Sequence, residues 1–117
     1  MLFNITNLST DKNSFRAEIT FNPADPVFTG HFPGRPIVPG VMLVEIASAT
    51  ASKITGKELI VKEASVIKFL QVIDPTVNTV IRLDGSMVKV DDINYKADLS
   101  FSSGEIIFAK MKGILFS

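Results

Sequence analysis

The chain has 117 residues, of which 46% are hydrophobic and 21% are charged, a balance typical of a globular protein with one sizeable core and not of a disordered chain. Twelve basic and twelve acidic residues cancel, so the composition provides no overall field that would attract nucleic acid or an anionic membrane. The absence of cysteine and the presence of a single histidine argue against a disulfide framework, a thiolate nucleophile and a zinc centre.

The termini and the most apolar stretch bear on location. The first residues lack the basic start and long apolar run of a secretory signal. Residues 36–52 are strongly apolar, but they contain two prolines and a glutamate and fall short of the about 20 residues of a membrane-spanning helix. No repeat, low-complexity tract or linker divides the chain. We therefore expect a single domain over residues 1–117, located in the cytoplasm and outside the membrane.

The first predicted elements are strands. Strict alternation of apolar residues predicts that Ser14–Phe21 is a half-buried strand. Residues 1–8 are a weaker candidate for its partner. Residues 22–30 contain two prolines and a glycine, so we predict a loop there.

A helix is predicted over residues 40–54. Pro39 suits the first turn of a helix, because its missing N–H has no partner to lose there. Gly56, which follows the basic Lys53, suits a left-handed helix stop. Apolar or small residues occupy nearly every side of this segment, so we expect the helix to be buried all round.

The rest of the chain is rich in β-branched and aromatic residues and predicts strands. Asp84-Gly85 is either a hairpin turn or a bulge within one long strand, and we favour the bulge because a later turn already reverses the chain. One long central helix with five to six antiparallel strands predicts an α+β fold, a single curved sheet wrapped around the helix. The predicted strands are residues 58–70, 76–90, 94–102 and 105–116, with breaks at Asp74-Pro75, Asp91-Asp92 and Ser103-Gly104.

Glu45 is the first candidate site residue. It lies between Val44 and Ile46 in the most apolar segment, and no basic residue between Arg35 and Lys53 is available to pair with it locally. An ionised carboxylate in apolar surroundings is costly unless it is paired. We therefore expect Glu45 either to be neutral or to face a cavity, and we interpret it as a site residue. The alternative is an acid on a solvent-exposed face.

His31 is the second candidate. Histidine is the side chain whose ordinary pKa lies nearest neutrality, so His31 could act as a base, although a lone histidine in a loop is more often a surface or hydrogen-bonded residue. Prolines at positions 33, 36 and 39 stiffen the segment that follows it. In polyproline geometry the segment from His31 to Gly40 would span up to about 28 Å, too far to reach Glu45 of the same chain. A turn at Gly34 would shorten this span; otherwise His31 meets Glu45 of a second subunit.

Gly40, the first residue of the predicted helix, is the third candidate. A helix N-terminus presents unpaired N–H groups and a partial positive charge, which favour an oxygen that gains negative charge. Glycine also allows a ligand to approach the backbone closely. An ordinary tight helix start is the alternative explanation for this glycine.

Eight positions between 31 and 45 match a known signature in order and spacing, namely His31, Phe32, Pro33, Pro36, Pro39, Gly40, Val41 and Glu45. In these positions the chain resembles the β-hydroxyacyl carrier-protein dehydratases of bacterial fatty-acid synthesis, which have the hot-dog fold. The resemblance extends to Gly30 and, more loosely, to Lys68-Phe69, Pro75 and the closing strands. It covers most of the chain and implies the same curved sheet and central helix that the pattern of elements predicts.

The resemblance also implies a reaction. His31 would remove the C2 proton of a 3-hydroxyacyl thioester, and Glu45 of the partner subunit would assist departure of the 3-hydroxyl as water. The Gly40 N–H would hold the thioester carbonyl oxygen while charge develops on it. Val41 and Phe32 would contact the substrate. The product would be the trans-2-enoyl thioester, with no metal or redox cofactor.

Partners follow from the same resemblance. It implies an acyl carrier protein that presents a pantetheine-linked chain, and a homodimer with shared active sites whose further assembly stays open. Arg35, a basic residue beside the motif, is the candidate contact for the acidic carrier protein. Ala49 stands where the family often has glutamine, and Thr76-Val77 replace the usual glycine and acid. These departures leave the acyl length open, and a specialised polyene or polyketide pathway fits as well as housekeeping fatty-acid synthesis.

Two alternatives to a dehydratase remain on sequence grounds. A thioesterase of the same fold would use Glu45 to activate water and would give His31 little purpose. A non-catalytic acyl-binding module is the other alternative, although retention of His31, Glu45 and Gly40 argues against it.

Overall fold

The computed structural model describes residues 2–31, 34 and 36–117, with residues 29–31 described by their backbone. In this part of the chain no helix has the length and apolar character needed to cross a membrane. The elements are β1 (Phe3–Asp11), β2 (Ser14–Phe21), α1 (Pro26–His31), α2 (Gly40–Thr55), β3 (Val61–Phe69), β4 (Val80–Lys89), β5 (Tyr95–Ser103) and β6 (Ile106–Phe116).

The strands form one antiparallel sheet in the order β1-β2-β4-β5-β6-β3, and α2 packs on one face of it. This confirms the predicted α+β arrangement. The weaker prediction of a strand before β2 is also confirmed, because β1 pairs with β2 from Phe3↔Phe21 to Asp11↔Ser14. Strands β1 and β3 are the two edges of the sheet.

The inner face of the sheet follows the alternation that predicted it. In β2, Phe15, Ala17, Ile19 and Phe21 are buried, while most of the residues between them are exposed. This apolar face packs with the buried side of α2 into one core. The buried residues of α2 are Met42, Leu43, Ile46, Ala47, Thr50 and Ala51.

Helix α2 ends as predicted but is not buried all round. Gly56 takes the left-handed conformation with φ 71°, and its N–H donates to the Ser52 carbonyl at 2.9 Å. The opposite side of the helix is open: Val41 is 67% exposed, and Glu45 is exposed as well. The prediction of complete burial is wrong for the single chain, because one sheet covers only one side of a helix.

The loop predicted over residues 22–30 contains a short helix, α1, so that prediction is wrong for residues 26–30. Asp25 caps α1: its side-chain Oδ1 accepts from the Val27 N–H at 3.0 Å. Pro26 occupies the first helical position, which tolerates proline. Phe28 is fully buried and packs edge-on against Phe21, with ring centroids 6.1 Å apart.

Asp84-Gly85 is neither a hairpin turn nor a bulge. β4 runs through both residues, and its pairing with β2 and β5 is regular there. The glycine at position 85 is explained by neighbouring atoms that leave no room for a side chain. An added Cβ would lie 2.5 Å from the Asp98 carbonyl oxygen and 2.7 Å from the Phe15 ring. The favoured bulge is therefore wrong, because close contacts from β5 and the core, and not a change of register, exclude a side chain at this position.

Candidate active site

The N-terminus of α2 is anchored to the chain that follows β3. The Val38 N–H donates to the Ile73 carbonyl at 2.9 Å, and Pro39 has the extended backbone of an N-cap residue, with φ −64° and ψ 144°. The Met42 N–H donates to the Pro39 carbonyl at 3.0 Å. The first of these bonds attaches the start of the helix to the segment that follows β3, and the second closes its first turn.

Two backbone amides at this helix start have no partner in the part of the chain that the structure describes. The N-cap is a proline, so no side chain caps the helix. Among the residues that the structure describes, the amides of Gly40 and Val41 have no hydrogen-bond partner. Free amides and the positive end of the helix dipole favour an acceptor oxygen that carries or gains negative charge.

A mostly apolar cavity of about 310 Å³ lies beside this helix start. Gly40 forms part of its wall, and among the described residues of the lining Gln71 supplies the only polar side chain. Such a cavity suits an apolar chain that ends in a polar group. The remaining lining residues are Ile37, Val38, Leu43, Phe69, Leu70, Val72 and Ile73.

Sequence reasoning did not identify Phe69, Gln71 or Val72 as site residues. The available signal was the Lys68-Phe69 pair, which belongs to the resemblance but had no role assigned to it. Strand alternation places Phe69 and Ile67 on the side of the sheet that faces α2. A larger cavity of about 350 Å³ lies elsewhere, among charged residues such as Asp84 and Lys110, and contains none of the predicted site residues.

His31 is the last residue of α1 and therefore does not lie in an extended loop. It follows the buried Phe28 by one helical turn, so its backbone is held close to a core anchor. Gly34 has φ 81°, so the connection to α2 is not polyproline throughout and the 28 Å span predicted above does not apply. The His31 side chain, Phe32 and Arg35 lie outside what the structure describes, and their predicted roles stay predictions.

Glu45 does not lie in the surroundings predicted for it. Its side chain is exposed in the single chain and lines none of the cavities found in the described residues. Glu45 follows Val41 by four residues, so the two share the open face of α2. The expectation of an apolar, enclosed setting is wrong for one chain; the structure brings Gly40 and Val41 together at the helix start and leaves Glu45 on the uncovered side.

The described residues contain no group of three His, Cys, Asp or Glu side chains that could hold a metal ion.

Two serines in the second half of α2 attach the helix to the chain around the start of β3. The Leu59 N–H donates to Ser52 Oγ at 2.9 Å, and the Val61 N–H donates to Ser48 Oγ at 3.1 Å. These bonds attach the helix to the start of β3 and so help to set its position on the sheet.

Comparison with protein families gives a match over residues 7–106 to the model described as ApeI-like, ApeI dehydratase. A 3-hydroxyacyl-[acyl-carrier-protein] dehydratase, FabZ, from Wolbachia pipientis is 30% identical over 104 residues, which cover 83% of this chain and 71% of that protein. FabZ of Dinoroseobacter shibae is 41% identical over 56 residues, which cover 48% of this chain and 33% of that protein.

Solved structures show the same fold. The dehydratase heterocomplex ApeI:P from Xenorhabdus doucetiae has a chain with a TM-score of 0.72 at 17% identity, covering 98% of both chains. A mutant thioesterase from Pseudomonas aeruginosa has a TM-score of 0.65 at 11% identity, covering 97% of this chain and 78% of that one. At these identities the likeness supports the hot-dog fold alone, and it is shared by proteins with different reactions.

Proposed function

Because this chain belongs to the ApeI-like dehydratase family, we propose that it removes water from a 3-hydroxyacyl thioester to give the trans-2-enoyl thioester. The reaction breaks the C2–H and C3–O bonds, forms the C2=C3 double bond and releases one water, so no electrons are gained or lost overall. The observation that carries the proposal is the Gly40 amide, which lies on the wall of an apolar cavity and has no hydrogen-bond partner among the described residues, with the equally unpaired Val41 amide next to it in the chain.

The amides would lower the barrier to proton removal. The C2–H of a thioester becomes acidic only when the carbonyl oxygen can accept charge, and a fixed N–H donor stabilises that charge in the transition state. We assign this role to Gly40, with Val41 beside it. His31 would accept the C2 proton, since histidine is the residue type most suited to proton transfer near neutral pH.

Glu45 would assist departure of the 3-hydroxyl as water, from the partner subunit. Two observations support a two-chain site. Glu45 and the apolar Val41 share the uncovered face of α2, and β3 is an edge strand with an unpaired side. A second copy that covers this face would remove Glu45 from solvent and bring it toward a cavity.

The test is turnover of a 3-hydroxyacyl carrier protein, followed by mass spectrometry as loss of one water. His31→Ala and Glu45→Ala should each lower kcat by about 100- to 10,000-fold, as expected for loss of an acid or base group. Lys53→Ala, on the last turn of the same helix, is the matched control and should keep wild-type kcat. Full activity in either site variant would reject the roles assigned here.

A thioesterase is the second candidate, supported by the fold shared with the Pseudomonas thioesterase and by a carboxylate open to water at Glu45. Detection of free thiol separates the two reactions, because dehydration leaves the thioester intact. Thiol release without enoyl product would favour the hydrolase, and tight acyl-thioester binding without either product would favour a binding module.

The partner that delivers the substrate is proposed to be an acyl carrier protein, with Arg35 at its docking surface. Rim charges mainly change association rates. Arg35→Glu should therefore raise KM for the carrier-linked substrate and leave KM for the corresponding free pantetheine thioester unchanged. Equal effects on both substrates would place Arg35 in the acyl site instead.

A further inference from the structure

The Phe69 ring stands against the first residue of α2. A Cβ built on Gly40 would lie 2.7 Å from Phe69 Cζ and 3.0 and 3.2 Å from Cε1 and Cε2. The shortest of these distances is below ordinary carbon–carbon contact, so the tip of the ring already fills the space that a larger residue would need. Gly40 is therefore glycine for a reason besides ligand approach: it accommodates this ring.

The backbone around the ring is fixed, whereas the ring itself is not enclosed. Phe69 is paired with Ala109 at the end of β3, and the next amide, that of Leu70, donates to the Phe108 carbonyl at 2.7 Å. The Phe69 side chain is nevertheless 57% exposed. In the single chain the ring can therefore leave Gly40 by rotation about its side-chain bonds, without any movement of the sheet.

The ring also limits the size of the cavity. Phe69 is the largest side chain among the described residues of the lining, and the volume of about 310 Å³ is near the lower end of the roughly 300–1,000 Å³ of small-molecule pockets. The space that remains beside the Gly40 amide depends on where the ring lies. A bulkier ligand would need the ring to turn away.

We propose that Phe69 is the specificity-determining residue of this site, because its ring, held against Gly40, limits the bulk that an acyl chain can place beside the start of α2. The inference rests on the proposed function, since it takes the ligand to be an acyl thioester. In an apolar pocket, one methylene changes discrimination by about 10- to 200-fold. Removing an aromatic ring should therefore alter acyl selectivity strongly.

The experiment compares Phe69→Ala and Phe69→Leu with wild type over straight and branched 3-hydroxyacyl thioesters of graded length. Val77→Ala is the control, because Val77 is apolar and 75% exposed but does not line the cavity. Phe69→Ala should shift the ratio of kcat/KM for bulky over short chains at least about tenfold, Phe69→Leu should shift it less, and Val77→Ala should keep the wild-type profile. A wild-type profile in Phe69→Ala would overturn the proposal.

Binding gives a readout that does not need the reaction. Saturated acyl-pantetheine thioesters carry no hydroxyl group, so their Kd values report on the cavity alone. In one outcome, Phe69→Ala lowers the Kd for bulky chains relative to the Kd for short chains, while wild type shows no dehydration. This outcome would support the role of Phe69 and reject the proposed function. Dehydration by all variants with unchanged length profiles would keep the function and reject the role of Phe69.

The contact itself can be tested by combining substitutions. Gly40→Ala should lower Tm slightly in wild type, because the new Cβ would displace the tip of the Phe69 ring, which is exposed and able to turn away. In the Phe69→Ala background the same substitution should be neutral or stabilising, since alanine is the better helix former. Equal Tm losses in the two backgrounds would show that the ring does not rest on Gly40 in solution and would overturn the proposal.

Discussion

At the scale of single residues, two kinds of position bear on stability. At the first kind there is no room for a side chain, and at the second a side chain accepts the hydrogen bonds of a turn. Gly85 and Gly40 both face atoms from distant parts of the chain. Asp91 is different: it acts within its own turn, where its carboxylate accepts from the Ile93 N–H, the Asn94 N–H and the Asn94 side-chain amide.

Gly85→Ala should destabilise the fold by about 1–3 kcal/mol, the usual cost of forcing extra atoms into a packed site. The added methyl would meet the Asp98 carbonyl oxygen, the Phe15 ring and Leu99 Cβ, and all three belong to backbone or buried core that cannot easily move. Urea unfolding gives the free energy directly. The neighbouring exposed Ser86→Ala should change it by less than about 0.5 kcal/mol; equal effects would show that the close approach is absent.

The hydrogen bonds of Asp91 predict that the stability of the fold depends on pH. The hydrogen bond from the Asn94 side chain, followed by that from the Ile93 amide, lowers the pKa of Asp91 below its usual value of 3.8. A lowered folded-state pKa stabilises the fold above the unfolded pKa, and this stabilisation is lost as the pH falls through the folded value. The Tm difference between wild type and Asp91→Ala should therefore be constant near neutrality and shrink below pH 3.8.

The control for this prediction is Asp92→Ala, the adjacent exposed acid, whose carboxylate accepts none of these bonds. Its Tm difference from wild type should not show the same narrowing at acid pH. If the Tm difference between wild type and Asp91→Ala stays the same at acid pH, the lowered pKa of Asp91 does not contribute to the stability of the fold.

At the scale of elements, strand pairing brings like charges together on the outer face of the sheet. Lys68 of β3 lies directly opposite Lys110 of β6, and both are exposed. Neither forms an ion pair with any described residue. Like charges directly opposite each other on paired strands are destabilising.

Lys110→Glu should therefore stabilise the protein by about 0.2–1 kcal/mol, because it converts a repulsive cross-strand pair into an attractive one. The gain should decrease as salt is raised from low ionic strength, since exposed charges are screened. Lys96→Glu is the comparison, because Lys96 lies opposite the apolar Val88 and Leu115. Thermal unfolding at two salt concentrations measures the gain in stability and its decrease with salt. A lower Tm for Lys110→Glu than for wild type at low salt would show that Lys68 and Lys110 do not repel each other.

At the scale of the whole molecule, the single chain leaves one face of α2 and one side of β3 uncovered. The proposed homodimer would cover them and would bring His31 of one chain to Glu45 of the other. The mass in solution should then be at least twice the 12.8 kDa of one chain. A monomer would contradict the proposed homodimer.

Mixing inactive variants tests the shared site. If His31 and Glu45 come from different subunits, a mixture of His31→Ala and Glu45→Ala proteins should recover about a quarter of wild-type activity, because half of the dimers are mixed and each has one intact site. Subunit exchange is verified by mass spectrometry of differently tagged chains. Exchange without recovered activity would place both residues within one chain.

The sequence alone determined the features that depend on neighbours along the chain. Alternation in β2 predicted its buried face, and Pro39 and Gly56 bracketed α2 to within one residue, because helix ends and strand faces are set by short-range geometry. Even α1 had a local signal, the Asp25-Pro26 pair, which an N-cap followed by proline at the first helical position explains.

Only the tertiary structure decided which distant residues meet. The ring of Phe69 against Gly40, the atoms that exclude a side chain at Gly85, and the open side of α2 that carries Glu45 all depend on how the sheet folds over the helix. No local pattern encodes these contacts, because each partner is compatible with many neighbours until strand order and register bring one of them close. The apolar composition around Glu45 predicted burial, but packing on a single sheet left its side of the helix exposed.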